Sequence, residues 1–215
     1  MAGVIGATSG KFILVGAALL LHGRVDEKTV SVSIAPGIAT SAMTPELAEH
    51  VKMRGGGPDV AIHLRAESFR ARVAAVETEP GPDAALRIGQ DLLDENPIEI
   101  DFAHHVLQPL SASEARRLER RSQPIVIRHE PDGTLSVNIA ADGGAPLSAR
   151  LDLSSVGGVT APGFGPANAV KVGGVEVPKT EVTDGPRPTV GLYAFRHARV
   201  IFDLGHDRIW VTRSG

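Results

Sequence analysis

The chain has 215 residues, enough for one large domain or two small lobes, and its formal net charge of −3 with no long basic run argues against nucleic acid or an anionic membrane as partner. Apolar residues make up 42% but aromatics only 4%, so Val, Ile, Leu and Ala have to fill the core, and 24 glycines with 15 prolines suit short strands and turns. The absence of cysteine excludes disulfides, thiolate metal sites and cysteine nucleophiles.

Phe12–Leu21 is an apolar run behind Lys11, the outline of a secretory signal. No small-x-small cleavage site follows, only His22-Gly23-Arg24, and ten residues are too few to span a bilayer as a helix. A buried strand pair entering a Gly turn accounts for the run equally well. The run is therefore read as strand, with no integral membrane segment. The signal is the alternative, and cytoplasmic and periplasmic or secreted locations both stay open.

Thr29–Ile34 alternates polar and apolar residues, as a half-buried strand does. Ala35-Pro36-Gly37 breaks it. Thr44 is placed to cap a short helix that has Pro45 at its first position. Gly55-Gly56-Gly57 lacks the Lys and Ser/Thr of a phosphate loop and is read as a flexible connection. Val60–Leu64 and Phe69–Val76 form a hairpin pattern, and Glu79-Pro80-Gly81-Pro82 a loop. Then come a short strand, Gly89, a helical turn through Leu92-Leu93 and a strand over 98–102. Ser111-Ala112-Ser113-Glu114 is a capping-box pattern opening a basic helix, Ala115 to about Arg121, whose arginines form a solvated face.

The order then returns. Ile125–Arg128, Leu135–Ala140 and Leu147–Leu151 read as strands separated by Gly turns, and Asp152-Leu153-Ser154-Ser155 stands where Ala35-Pro36-Gly37-Ile38 stood. Val170–Val172, Gly173-Gly174 and Val175–Val177 make a second hairpin. At an offset of 102 residues, Gly89 falls on Gly191, Asp101 on Asp203, His104 on His206, and Ile98-Glu99-Ile100 on Val200-Ile201-Phe202. A Gly, an apolar strand, an Asp and a His in one register indicate two copies of one unit. We divide the chain into a first half over 12–110, a linker helix over 111–123 and a second half over 124–213.

This order resembles the half-domain of the retropepsin-like and pepsin-like aspartic peptidases. In that family a strand runs into Asp-Thr-Gly, a flap hairpin follows, and an apolar-apolar-Gly loop often continues as Gly-x-Asp-x-Leu. Leu86-Arg87-Ile88-Gly89-Gln90-Asp91-Leu92-Leu93 is similar to that second motif, and Val172–Pro178 to the flap-region hairpin. The resemblance implies a mostly β, bilobed acid-protease-like fold, with two similar β half-domains about a pseudo-twofold axis and few short helices. It also implies a cleft between the lobes, roofed by the hairpins 60–76 and 170–182, where an extended peptide could pair with strand edges.

An aspartic peptidase needs one carboxylate from each half, sharing a proton because two such close charges cannot both ionise. Here the two family Asp positions match Ala35 and Asp152, the family Thr matches Pro36 and Leu153, and the family Gly matches Gly37 and Ser154. Asp152 is thus either a surviving catalytic half or a polar residue closing a strand turn. Asp91, Asp101 and Asp203 lie at helix or strand ends, where carboxylates accept backbone hydrogen bonds, and are not catalytic candidates. His104, His105 and His206 raise a two-His metal site, but no Asp/Glu/His constellation at ligand spacing supports it. Ser154 and Ser155 lack a Gly-x-Ser-x-Gly setting.

The expectation is therefore a degenerate aspartic-peptidase-like protein that does not hydrolyse peptides and binds a peptide or protein segment, with no cofactor and no metal. The alternative is an atypical endopeptidase using Asp152, with a homodimer supplying the second carboxylate. A purely structural β domain of a larger assembly is the third reading. Between Asp152 and Gly191 lie 39 positions against 54 between Ala35 and Gly89, so the second half carries the smaller insertion over its cleft.

Overall fold

The computed structural model describes residues 11–53, 59–64, 67–73, 75–95, 97–141, 143–166, 169–177 and 179–212. The Gly55-Gly56-Gly57 stretch lies outside them. The first half holds β1 (Ile13–Val15), β2 (Ala18–Val25), β3 (Lys28–Ile34), β4 (Ala42–Met43), α1 (Pro45–Met53), β5 (Asp59–Leu64), β6 (Glu67–Arg72) and β7 (Ala75–Val76). It continues through β8 (Leu86–Ile88), α2 (Gln90–Leu93), β9 (Ile98–Asp101) and β10 (Val106–Pro109). After α3 (Ala112–Glu119), the second half runs through β11 (Ser122–Val126), β12 (Arg128–His129), β13 (Leu135–Ala141), β14 (Leu147–Asp152), β15 (Val159–Ala161) and β16 (Val170–Val172). It closes with β17 (Val175–Glu176), β18 (Val182–Asp184), β19 (Thr189–Gly191), β20 (Arg199–Asp203) and β21 (Arg208–Thr212).

The apolar run Phe12–Leu21 becomes a hairpin. β1 pairs with β2 around Gly16, whose φ of 61° is left-handed and suits a residue without a side chain. Leu19 and Leu21 are buried on the inner face of β2. Thr44 caps α1 as expected, accepting the Leu47 amide at 3.3 Å. The linker helix starts at Ala112, because Ser111 and Glu114 close a reciprocal capping box there. It stops by Glu119, since Ser122–Val126 is drawn into pairing with β21.

The two halves repeat strand for strand. The first sheet has the order β6-β5-β2-β3-β8-β4-β7 with β1 paired to β2, and the second has β17-β16-β13-β14-β19-β15-β18 with β12 paired to β13. In each, the third and fourth strands along this order are an antiparallel hairpin, and the fourth and fifth run parallel. The fold is mostly β, a duplicated pair of sheets with few short helices.

A five-stranded antiparallel sheet, β10-β9-β20-β21-β11, joins the halves. Glu99 faces Ile201 in it, and these are corresponding positions, so the pseudo-twofold axis passes between them. One face of this sheet carries Ile98, Ile100, Val200, Phe202 and Ile209 into the main core. The helix α3 covers part of the other face, where Leu110 and Ala115 pack on Ile201, with Leu118 and Trp210 alongside. Glu99 is buried on that second face and is held by Arg199, whose Nε and Nη2 lie 2.8 Å from its two carboxylate oxygens. This ion pair crosses from one half to the other.

The hairpins 60–76 and 170–182, expected as a roof, are seen in the described residues as extensions of the two sheets. Val60, Ile62 and Leu64 alternate into the core, as do Val170, Val172, Val175 and Val177, so each hairpin spends its apolar face on its own half. β5 extends the first sheet beyond β2, and β16 extends the second beyond β13. The turn of the second hairpin folds onto the joining sheet, with Gly173 against Ile125.

Each half also ends its joining strand in the same box. Asp101 accepts the His104 amide at 3.1 Å and sits 2.8 Å from His104 Nδ1, and Asp203 sits 2.8 Å from His206 Nδ1. Burial pushes the Asp101 carboxyl up, but the bonds from His104 outweigh it and hold it below the ordinary range. The hydrogen bond to Asp203 raises the His206 imidazole above its ordinary 6.5. Such a raised value means that the pair's contribution is complete below about pH 6.5 and fades as pH rises through the folded value. His206→Asn is expected to cost less than about 1 kcal/mol at pH 5, because the ring is mostly exposed, and the gap to wild type should narrow in urea titrations as pH rises through the folded value. A gap that does not change with pH would leave the box with a geometric role only.

Candidate functional site

β3 and β14 run down the middle of their sheets and end in the tripeptides Ala35-Pro36-Gly37 and Asp152-Leu153-Ser154. Their surroundings correspond bond for bond. The Ile38 amide donates to Ala35 O at 3.0 Å, and the Ser155 amide donates to Asp152 O at 3.0 Å. Beyond the parallel neighbour strand, the Gln90 amide donates to Ile38 O at 2.8 Å, and the Leu192 amide to Ser155 O at 2.9 Å. Gly89 and Gly191 therefore stand at the same place in the two halves. Both are needed for close approach: a Cβ on Gly89 would lie 2.7 Å from the Thr40 carbonyl carbon, and one on Gly191 would lie 2.3 Å from Gly157 O.

The two tripeptides meet across the axis. A Cβ on Gly37 would fall 2.1 Å from the Ser154 amide nitrogen and 2.5 Å from the Leu153 carbonyl carbon. At this junction Ala35 contributes a buried methyl, and Pro36 and Leu153 are buried apolar residues. Asp152 is half-buried, and its Oδ1 accepts the Ser154 amide at 3.2 Å and the Ser154 hydroxyl at 2.5 Å. The only carboxylate in the two tripeptides is thus bonded within its own turn.

The remaining candidates are placed as follows. Asp91 accepts the Ser41 amide at 2.9 Å and the Ser41 hydroxyl at 2.6 Å, and Ser41 Oγ in turn accepts the Gly89 amide at 2.9 Å. Asp91 thus ties the Gly89 loop to the strand before α1. In the second half a backbone carbonyl, Gly158 O, takes the Gly191 amide at 2.8 Å. His104 and His206 each sit on their own Asp, and His105 stacks on Phe12 with centroids 5.4 Å apart. Among the described residues no group of three His, Asp or Glu side chains has a metal-holding arrangement. Ser155 Oγ accepts the Gly157 amide at 3.1 Å.

Above the junction lies a pocket of about 330 Å³. Its walls are the β1–β2 turn Val15–Ala18, the Pro80-Gly81-Pro82 loop, and Ala35, Gly37, Ile38, Leu153 and Ser154 from the two tripeptide regions, with Ser33 and Arg87 completing it. It is mostly apolar and is fed by both halves. Exposed Ile38 and Val156, which follow the two tripeptides, add apolar surface beside them. Neither the turn at Gly16 nor the Pro80–Pro82 loop is recognisable as a site from sequence, since each reads simply as punctuation between strands.

Arg87 holds the Pro80–Pro82 wall in place. Its Nη1 and Nη2 take the two Glu77 oxygens at 2.8 Å each, Nη1 also donates to Pro80 O at 2.7 Å, and Nε donates to Thr40 O at 3.1 Å. The arginine side chain is 12% exposed, while its Glu77 partner still faces water. The bond from Arg87 lowers the Glu77 carboxyl pKa. Arg87→Ala should cost about 1 kcal/mol in a urea titration, because it leaves the Pro80 and Thr40 carbonyls without their donor. Arg87→Lys should recover little of this, since a single ammonium cannot serve the fork.

Comparison with known proteins adds a distant likeness. No family model matches the chain, and no curated protein matches it. Among solved structures, the retroviral protease-like domain of Ddi1 from Leishmania major is similar to 45% of this chain and to 90% of that domain, at 20% identity and a TM-score of 0.35.

Among the described residues no helix is long and apolar enough to cross a membrane.

Proposed function

We propose that this protein is an aspartic-peptidase-like protein that has lost hydrolysis and binds a peptide or protein segment in the pocket at the junction of its halves. The observation that carries this reading is the junction itself. Two corresponding strand ends are brought into backbone contact, as two cooperating catalytic loops would have to be, yet one offers a methyl at Ala35 and the other a carboxylate already bonded to Ser154. A water held between two carboxylates needs both, one to take its proton and one to protonate the scissile carbonyl. The supporting hydroxyls are replaced by Pro36 and Leu153, which harden the junction but cannot donate. An apolar pocket fed by both halves is what remains.

The test is cleavage and binding side by side. Peptide-library digestion from pH 3 to 7 is expected to show no product that depends on Asp152. Binding of random hexapeptides should fall at least about tenfold in Ala17→Trp, which fills the pocket from the β1–β2 turn. Cleavage that Asp152→Ala abolishes would overturn the non-hydrolytic reading and leave an endopeptidase in need of a second carboxylate. In that event, sedimentation of the active species would show whether a homodimer supplies it.

A further inference from the structure

The pocket carries an unspent polar atom. Ser33 lies two residues before Ala35 on β3, is 1% exposed, and its Oγ has no hydrogen-bond partner among the described residues. The other polar side chains lining the pocket are committed: the Ser154 hydroxyl donates to Asp152, and the Arg87 guanidinium is taken up by Glu77, Pro80 O and Thr40 O. A buried hydroxyl without a partner is costly, and each such group in a native protein calls for an explanation. Ser33 sits beneath Gly81, where an added Cβ would lie 3.1 Å from its Oγ. Any side chain at position 81 would therefore crowd the hydroxyl, and the glycine covers it without offering a side-chain partner.

Resting on the peptide-binding reading above, we propose that Ser33 is a specificity-determining residue, by which the pocket selects a compact apolar side chain bearing a hydroxyl: threonine in preference to its isostere valine. The apolar walls of Val15, Ala35, Ile38 and Leu153 accept the methyl of either side chain, and only the threonine hydroxyl can satisfy Ser33 Oγ. Engagement requires the Pro80–Pro82 loop to lift from Ser33, a movement confined to the segment that Arg87 anchors. A valine in the same place leaves the serine unpartnered and gains nothing for the lift.

Two hexapeptide libraries, random except for a central threonine in one and a central valine in the other, provide the probe. The wild type is expected to bind the threonine library about two- to tenfold more tightly, the worth of one neutral hydrogen bond. Ser33→Ala should bind both libraries at the wild-type valine level, and Gly81→Ala should lose the preference in the same way. Without peptide, Ser33→Ala should melt no lower than wild type, because it removes an unsatisfied hydroxyl, so a lost preference cannot be laid to misfolding. Equal binding of the two libraries by wild type overturns the role of Ser33 while leaving the pocket reading standing. A threonine preference that survives Ser33→Ala overturns it as well. Binding of neither library overturns the peptide-binding reading itself, and the inference with it.

Discussion

Gly37→Ala is expected to be among the most damaging single substitutions in the chain, costing about 4 kcal/mol or more, in the range reserved for backbone and core disruption. The glycine is not there for its dihedral freedom. What forbids a side chain is the neighbouring backbone: the added carbon would sit 2.1 Å from the Ser154 nitrogen and 2.6 Å from its Cα. No rotamer change relieves a clash with main chain, so the two halves would have to separate at the axis. The joining sheet and the junction would then compete, with the Glu99–Arg199 pair and the Val200 and Phe202 packing pulling one way and the new methyl the other. Equilibrium unfolding checks the prediction, with Gly81→Ala as comparison: there the nearest neighbours are Ser33 Cβ and Oγ, both at 3.1 Å, a contact that a shift of a few tenths of an ångström relieves, and a clearly smaller loss is expected. If Gly37→Ala melts like wild type, the close approach of the tripeptides is not a feature of the folded protein.

The duplication was legible because it rests on features that sequence displays directly. A glycine forced by close approach, an alternating apolar strand and an Asp-x-x-His turn each leave a mark at a fixed offset, and Gly89 with Gly191, Ile100 with Phe202, and His104 with His206 are all found at corresponding places. The correspondence of Ala35-Pro36-Gly37 with Asp152-Leu153-Ser154 was equally accessible, since both end the strand that pairs in parallel with the Gly strand. What could not be read was the destination of the hairpins. Their alternation announces two faces but not which body each face packs on, and a hairpin that roofs a cleft has the same period as one that widens a sheet. The pocket walls were hidden for a related reason. Gly16 and Pro80–Pro82 are turn residues by composition, and their arrival over Ala35 follows from long-range contacts such as Arg87 to Pro80 O and Tyr193 Oη to Gly16 O. Ser33 gave no signal at all, because a lone serine in an alternating strand reads as a solvent-side residue, whereas here it is buried.

A second carboxylate at position 35 is the direct test of the proposed non-hydrolytic reading. Ala35→Asp with Pro36→Thr is expected to cleave peptides at acidic pH where the wild type is silent, and the activity should vanish when Asp152→Ala is added. Position 35 corresponds to Asp152 across the axis and is 6% exposed, so the new carboxyl enters a dry site beside a like charge. Both influences raise its pKa. A carboxyl whose folded pKa is raised is tolerated while protonated, and its penalty grows as pH climbs from the unfolded value near 3.9 toward the folded one. The double variant should therefore match wild type most closely near pH 3 to 4 and lose ground toward neutrality, with several kcal/mol at stake if no relaxation admits water. Activity should follow the singly protonated pair and fall on both sides. Turnover will be slow, because Leu153 still lacks the hydroxyl that the first half regains and the Asp152 Oδ1 must share itself with Ser154. A double variant that folds, shows the predicted loss of stability with pH and still cleaves nothing would mean that the correspondence of the two strand ends is architectural, and that the junction never needed more than its pocket to serve this protein.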